Sequence, residues 1–372
     1  MATEAQVREA LKGVRDPEIG RPIDEIGMLR SVEVDGGLVR VHVLITIEGC
    51  PLKDRITGDV TAALQPLEGV ERVEVELTPM SQEERERLVT QLRGQAGHAG
   101  DAGHAPQPIS FPPQTSIIAI ASGKGGVGKS SVTVNLAAAL AASGHSVGVL
   151  DAVVWGFSVP RMLGAVGKPV GFNDMILPLE AHGVKVISMG HFVPEETPVI
   201  WRGPMLHKAI QQFLGDVWWG DLDFLLCDLP PGTGDVSISL ASFIPGASML
   251  VVTTPQEAAR KVAERAGKMA ERTNLRPIGV IENMSWFACP HCGARETIFG
   301  EGGGRQAAET LGVPLMAQVP LIPAVRAGGD EGVPIVVSDP GSPAAAALTE
   351  AAEAVVKATK SKVGKPLQLT TR

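Results

Sequence analysis

Residues 117–134 read IIAIASGKGGVGKSSVTV. The apolar run Ile117 to Ile120 breaks into glycines, and apolar residues then return at helical spacing at Val132, Leu136, Ala139 and Leu140. That is the pattern of a buried strand, a tight loop and a helix. Within it Gly123, Gly128, Lys129 and Ser130 match G-x-x-x-x-G-K-[ST]. In such a loop the backbone N–H groups of Gly123, Gly125, Gly126, Val127, Gly128 and Ser131 are placed to wrap phosphate oxygens. Lys129 reaches the terminal phosphates, and the Ser130 hydroxyl ligates Mg²⁺. The helix N-terminus points its positive end at the same anion. A second lysine, Lys124, directly follows Gly123. Beside polyphosphate it reads either as charge complementarity or as a device specific to one class of loop.

Working outward, the 372 residues are enough for two domains, and 44% hydrophobic with 20% charged residues is a globular composition. A formal net charge of −8 and the lack of a long Lys/Arg stripe argue against a nucleic-acid binder. No apolar run reaches membrane-span length, and the start MATEAQVREA lacks a signal-peptide core, so no membrane partner and a cytoplasmic setting are expected. Four cysteines, Cys50, Cys227, Cys289 and Cys292, are too few and too uneven for a disulfide scaffold.

Residues 1–93 read as a small α+β domain ordered helix, two strands, helix, strand. Val7, Leu11 and Val14 mark a helical face, alternating valines flank Asp35-Gly36-Gly37, Ile56, Val60 and Leu64 give a second helix, and Val73, Val75 and Leu77 a third strand. Residues 94–114, rich in Gly, Ala, His, Gln and Pro, read as a flexible linker, with His98 and His104 as solvated residues. Residues 115–372 alternate strand and helix patterns, predicting an α/β domain with a mostly parallel sheet. Two of its strands close on aspartate: 147–150 on Asp151, and 223–227 on Asp228. An apolar strand ending in aspartate supports Mg²⁺ in nucleotide sites. The loop Asp228 to Asp235, DLPPGTGD, joins stiff prolines to glycines that permit close approach to a γ-phosphate.

Cys289-Pro290-His291-Cys292 is half of a metal site, because tetrahedral zinc and cubane clusters usually take four ligands and no second C-x-x-C exists in the chain. Three arrangements compete: a redox dithiol at a helix start, a zinc knuckle recruiting His291 and a distant ligand, and a symmetric dimer pooling two pairs as Cys₄. Cys227 reads as a core residue.

The loop GKGGVGKS resembles the deviant Walker A loop of the MinD/ParA/nitrogenase-iron-protein group, in which the first lysine crosses a dimer interface to the partner's nucleotide. Asp16-Pro17-Glu18, Glu25-Ile26-Gly27-Met28 and Gly49-Cys50-Pro51 resemble the small domain of iron–sulfur assembly factors. The ordered set GKGGVGKS, GFSVPRMLG (156–164), WRGPM (201–205), DLPPGTGD, TTPQ (253–256), ENM (282–284) and CPHCG (289–293) resembles the Mrp/ApbC family of iron–sulfur cluster carrier ATPases. That resemblance implies a P-loop NTPase fold, ATP and Mg²⁺ as ligands and a homodimer sharing one [4Fe-4S] cluster on Cys289 and Cys292. It further implies catalytic roles for Lys124, Lys129 and Asp151, metal support from Ser130 and Asp228, an adenine contact from Asn283, and delivery from scaffold proteins to apo iron–sulfur proteins. The runner-up is a MinD/ParA-like positioning ATPase acting on membrane or DNA. Two departures stand out. Relatives carry Asp-Ala-Asp where this chain has Asp151-Ala152-Val153, which predicts binding with slow hydrolysis, and Leu321-Ile322 replaces the usual Leu-Asp.

Overall fold

The computed structural model describes residues 2–17, 19–45, 52–81, 83–84, 87–88, 109–153, 156–172, 175–193, 203–232, 235–289 and 291–359. Cys50, the linker to residue 108, Trp201-Arg202, Thr233-Gly234 and the tail from residue 360 lie outside them. Two compact units are present, residues 1–100 with 170–177, and residues 101–169 with 178–372.

In the first unit α1 (Glu4–Leu11), β1 (Leu29–Asp35), β2 (Leu38–Ile45), α2 (Lys53–Leu64) and β3 (Arg72–Pro79) follow the order read from the sequence. The sheet order is β1-β2-β3, with β1 and β2 antiparallel and β2 and β3 parallel. Alternation along β2 buries Val39, Val41 and Val43, while Val7, Leu11, Ile56, Val60 and Leu64 of the two helices are buried with them.

The second unit opens with Ile109, whose N–H bonds to Phe243 O at 2.8 Å, so the last residues of the predicted linker are already tied down. From there the chain runs through β4 (Ser116–Ser122), α3 (Lys129–Ala142), β5 (Val147–Asp151), α4 (Val159–Met162), then the hairpin β6 (Val170–Phe172) and β7 (Met175–Leu177), which belongs to the first unit, and on to β8 (Leu179–Ala181) and β9 (Val184–Ser188). Next come α5 (Gly203–Gly215), β10 (Phe224–Asp228), α6 (Asp235–Phe243), β11 (Ser248–Thr253), α7 (Glu257–Arg272) and β12 (Arg276–Ala288). The chain closes with β13 (Arg295–Glu296), α8 (Gly303–Leu311), β14 (Leu315–Leu321), α9 (Pro323–Glu331), α10 (Ile335–Ser338) and α11 (Pro343–Thr359).

The large sheet runs β13-β12-β11-β4-β10-β5-β9-β8, with β14 also paired to β12. Among the described residues only β8 and β13 join it antiparallel. Strands β5 and β9 lie to one side of β4 and β11 and β12 to the other, so the order reverses at β4, and sheets of this kind bind ligands at the strand ends beside such a reversal. The loop 123–128 leaves from that point. Helix α3 is apolar nearly all round because it is enclosed: Val132, Leu136, Ala137 and Leu140 pack in the same core as Leu348, Ala351 and Val355 of α11.

Candidate functional site

Parallel register brings the polar strand ends together. Asp228 lies opposite Ile120 of β4 on one side and Asp151 of β5 on the other, and Asp151 lies opposite Ser188 of β9. Strand closure on aspartate, visible in the sequence, therefore becomes two buried carboxylates side by side at the mouth of the loop.

Asp228 is the hub. Its Oδ1 accepts from Lys129 Nζ at 2.6 Å and from Thr133 Oγ1 at 2.8 Å, and its Oδ2 accepts from Ser130 Oγ at 2.6 Å. All three donors sit on the first two turns of α3, whose N-cap, Gly128, offers no side-chain bond to the free N–H groups there. Lys129 is 7% and Asp228 0% exposed, so either alone would be a costly buried charge, and each neutralises the other. Ser130 and Asp228 present hard oxygen donors at one point, which fits Mg²⁺. Lys124 is exposed.

Asp151 sits deeper. Its Oδ1 accepts from Val153 N at 3.0 Å and its Oδ2 from Ser188 Oγ at 2.9 Å. Burial, then the neighbouring Asp228 charge, pushes its carboxyl from 3.8 up to about 7 despite those bonds. Ser188 in turn accepts from Gly190 N, and its own N–H donates to His191 Nδ1.

The loop is shaped by packing as much as by its phosphate pattern. A Cβ on Gly123 would lie 2.3 Å from the Val262 carbonyl carbon and 2.4 Å from Ala263 N of α7, so no side chain fits. From the other side Asn283 Nδ2 donates to Val127 O at 2.9 Å. Asn283, for which the resemblance implies an adenine contact, thus bonds the backbone of the loop.

The cysteine pair lies at the end of β12. Phe287 and Ala288 pair with Glu296 and Arg295, Cys289 N donates to Ala294 O, and Gly293 N returns to Cys289 O, making a closed turn with Gly293 at φ +69°. The Cys289 thiol is lowered from its ordinary value by the backbone N–H of Cys292, then that of His291, then the Cys292 thiol. Backbone donors on a tight turn do this here, and the next helix begins only at Gly303, so the helix-start dithiol arrangement is not what is formed. Among the described residues no set of three or more His, Cys, Asp or Glu side chains converges as a metal site. Cys227 is fully buried in β10, and burial pushes its thiol up to about 12.

Thr133 and Ser188 were not singled out by sequence reading. Thr133 carries a weak signal, one helical turn after Lys129. Ser188 ends an apolar strand as the aspartates do, but only the β5–β9 register shows that it meets Asp151.

A parallel sheet reversing at a phosphate loop, with lysine, hydroxyl and aspartate converging on one helix end, defines a P-loop NTPase. The chain belongs to the family described as ParA, NUBPL iron-transfer P-loop NTPase, which it matches over residues 114–356, and residues 4–77 match the iron-sulfur cluster assembly protein family. It is 54% identical over 346 residues to the iron-sulfur cluster carrier protein of Mycobacterium bovis, covering 91% of this chain and 89% of that one. The protein of the same description from Synechocystis is 42% identical, covering 95% and 97%. Among solved structures, a nucleotide-binding protein from Archaeoglobus fulgidus in complex with ADP is similar at 38% identity and TM-score 0.52, over 59% of this chain and 87% of that one. The cell division ATPase MinD of Pyrococcus furiosus is similar at 26% and 0.51, over 65% and 98%.

Proposed function

We propose that the chain is an ATP-dependent iron–sulfur cluster carrier: it binds Mg-ATP on residues 123–131, holds a labile [4Fe-4S] cluster between two copies, and passes it from scaffold proteins to apo iron–sulfur proteins. The observation that carries this reading is the Cys289–Cys292 turn, a thiolate-favouring pair without a third ligand among the described residues, on the same strand that braces the phosphate loop. Two thiolates per copy complete a Cys₄ set only in a symmetric dimer, and so light an attachment suits a cargo that leaves. The printed descriptions of the relatives support the carrier role.

On this reading residues 1–93 are an assembly-type domain, 94–114 a linker and 115–372 the ATPase. Gly123, Gly125, Gly126, Val127, Gly128 and Ser131 cradle phosphates with backbone N–H groups, and Lys129 transfers its bond from Asp228 to a phosphate oxygen. Ser130 and Asp228 would hold Mg²⁺, which would supply charge neutralisation to the phosphates. Exposed Lys124 is free to reach the partner's nucleotide, Asp151 acts beside the metal site as a catalytic switch residue, and Asn283 contacts adenine as well as bonding the loop backbone. Val153 contributes only its N–H to Asp151 and carries no carboxylate, so hydrolysis is slow. Neither nucleic acid nor membrane is a partner, and the setting is cytoplasmic.

Anaerobic reconstitution followed by iron, sulfide and zinc analysis tests the proposal. About four irons per dimer are expected, lost on Cys289→Ala or Cys292→Ala with ATP binding retained. Zinc binding with no iron–sulfur chromophore would refute it.

A further inference from the structure

Strand β12 meets the phosphate loop at Asn283 and Met284 and ends just before Cys289, six residues beyond Asn283, at most about 20 Å at the rise of a strand. The contact at the loop is tight. Asn283 Nδ2 bonds Val127 O, and a Cβ on Gly128 would lie 2.2 Å from that same nitrogen and 3.5 Å from Met284 Cε. Gly128 also has φ +77°, so the loop meets residues 283 and 284 with bare backbone. Any shift of the loop breaks the Val127 bond or drags β12 with it.

Between loop and thiols the strand is irregular. Met284 has φ +56°, a left-handed conformation that residues with side chains rarely adopt. The ladder to β14 pairs Asn283 with Val319 and next Phe287 with Leu321, so four steps on β12 face two on β14 and residues 284–286 form a bulge. The thiol turn rides directly on it: the Arg295 guanidinium lies 4.1 Å over the Trp286 ring, and Cys289 N is held by Ala294 O. Residues 284–286 thus form an irregular joint between the loop contact and the thiol turn, and coupling between sites needs an element that both sites bias.

We propose that Asn283 is a positioning residue that couples nucleotide to the cysteine pair: its bond to Val127 makes the bulge at 284–286, and the Cys289–Cys292 turn beyond it, follow the phosphate loop. This rests on the loop being a nucleotide site. Linkage then requires reciprocity: metal on the thiols changes nucleotide affinity by the factor by which nucleotide changes metal affinity.

The test uses the full chain, reduced and stripped of metal. Iodoacetamide alkylation of Cys289 and Cys292, followed by peptide mass spectrometry, and Zn²⁺ affinity are measured without nucleotide and with saturating Mg²⁺ and a non-hydrolysable ATP analogue. Nucleotide should change both by about fivefold or more, and Zn²⁺ should change analogue affinity by the factor by which the analogue changes Zn²⁺ affinity. Asn283→Ala, and Asn283→Asp, which keeps the size but loses the N–H donor, should reduce the factor below about twofold at saturation. Met284→Gly, which accepts the left-handed backbone, keeps the brace and softens the bulge, so it should also shrink the factor and serves if the Asn283 variants do not fold. A purely structural role would lower thermal stability and leave the factor intact. That outcome overturns the proposal, as does an analogue that binds wild-type protein without moving either thiol readout. An analogue that fails to bind overturns the nucleotide reading as well, and a fluorescent-nucleotide titration tells these two failures apart.

Discussion

Replacing Asp151 by Asn should remove a pH dependence from the stability of the second unit. Asp151 is wholly buried beside Asp228, which raises its carboxyl from 3.8 to about 7, so between those values the folded chain binds a proton that the unfolded chain has released. Stability from this group is full below about pH 4 and is lost as pH rises through about 7, the reverse of an ordinary salt-bridged aspartate. The interval between 3.8 and about 7 corresponds to about 4 kcal/mol of stability. Asparagine resembles the protonated acid in size and lacks its charge. Its amide oxygen accepts from either Val153 N or Ser188 Oγ, and the loss of the other bond costs about 1 kcal/mol at all pH values. Wild type and Asp151→Asn should therefore differ little or favour wild type near pH 4, cross, and by pH 8 favour the variant by up to about 3 kcal/mol. Urea unfolding from pH 4 to 8, in EDTA so that no divalent cation offsets the charge, followed by the fluorescence of Trp218 and Trp219, both buried in the second unit, is the assay. Parallel curves across that range would show that Asp151 ionises freely in the fold and that its burial beside Asp228 has been misjudged.

Lys129→Ala removes a charge-assisted phosphate contact worth about 1.5–3 kcal/mol, so ATP affinity should fall by at least about tenfold; it also leaves Asp228 buried without its cation, so the variant should unfold earlier in urea, and unchanged affinity would mean the loop is not the nucleotide site. Val153→Asp restores a carboxylate two residues after Asp151 and should raise single-turnover ATP hydrolysis by about 10²–10⁴-fold with little change in affinity. Equal rates would assign that role to another carboxylate.

The sequence by itself determined the elements and much of the site's chemistry. A phosphate loop is a local object, made of consecutive residues whose strand, glycines and helix are read in order, and GKGGVGKS contains it whole. The C-x-x-C turn is local too, since its backbone donors come from residues two and three positions on. Strand endings on Asp151 and Asp228 were equally plain, because a buried apolar run closing on a charge shows where burial stops. What needed tertiary structure was every relation across strands. That Asp228 sits between β4 and β5, that Asp151 is pressed against it and held by Ser188, and that Thr133 shares its Oδ1 all follow from the order β9-β5-β10-β4, in which β10 slips between two strands formed much earlier in the chain. Strand order is fixed by which apolar faces cover which helices, and periodicity within a segment carries no record of it. Asn283 shows the same division. The sequence offers an amide in the motif ENM, and only the fold sets it 2.9 Å from Val127 O, 156 positions earlier, on the strand that leads to the cysteines.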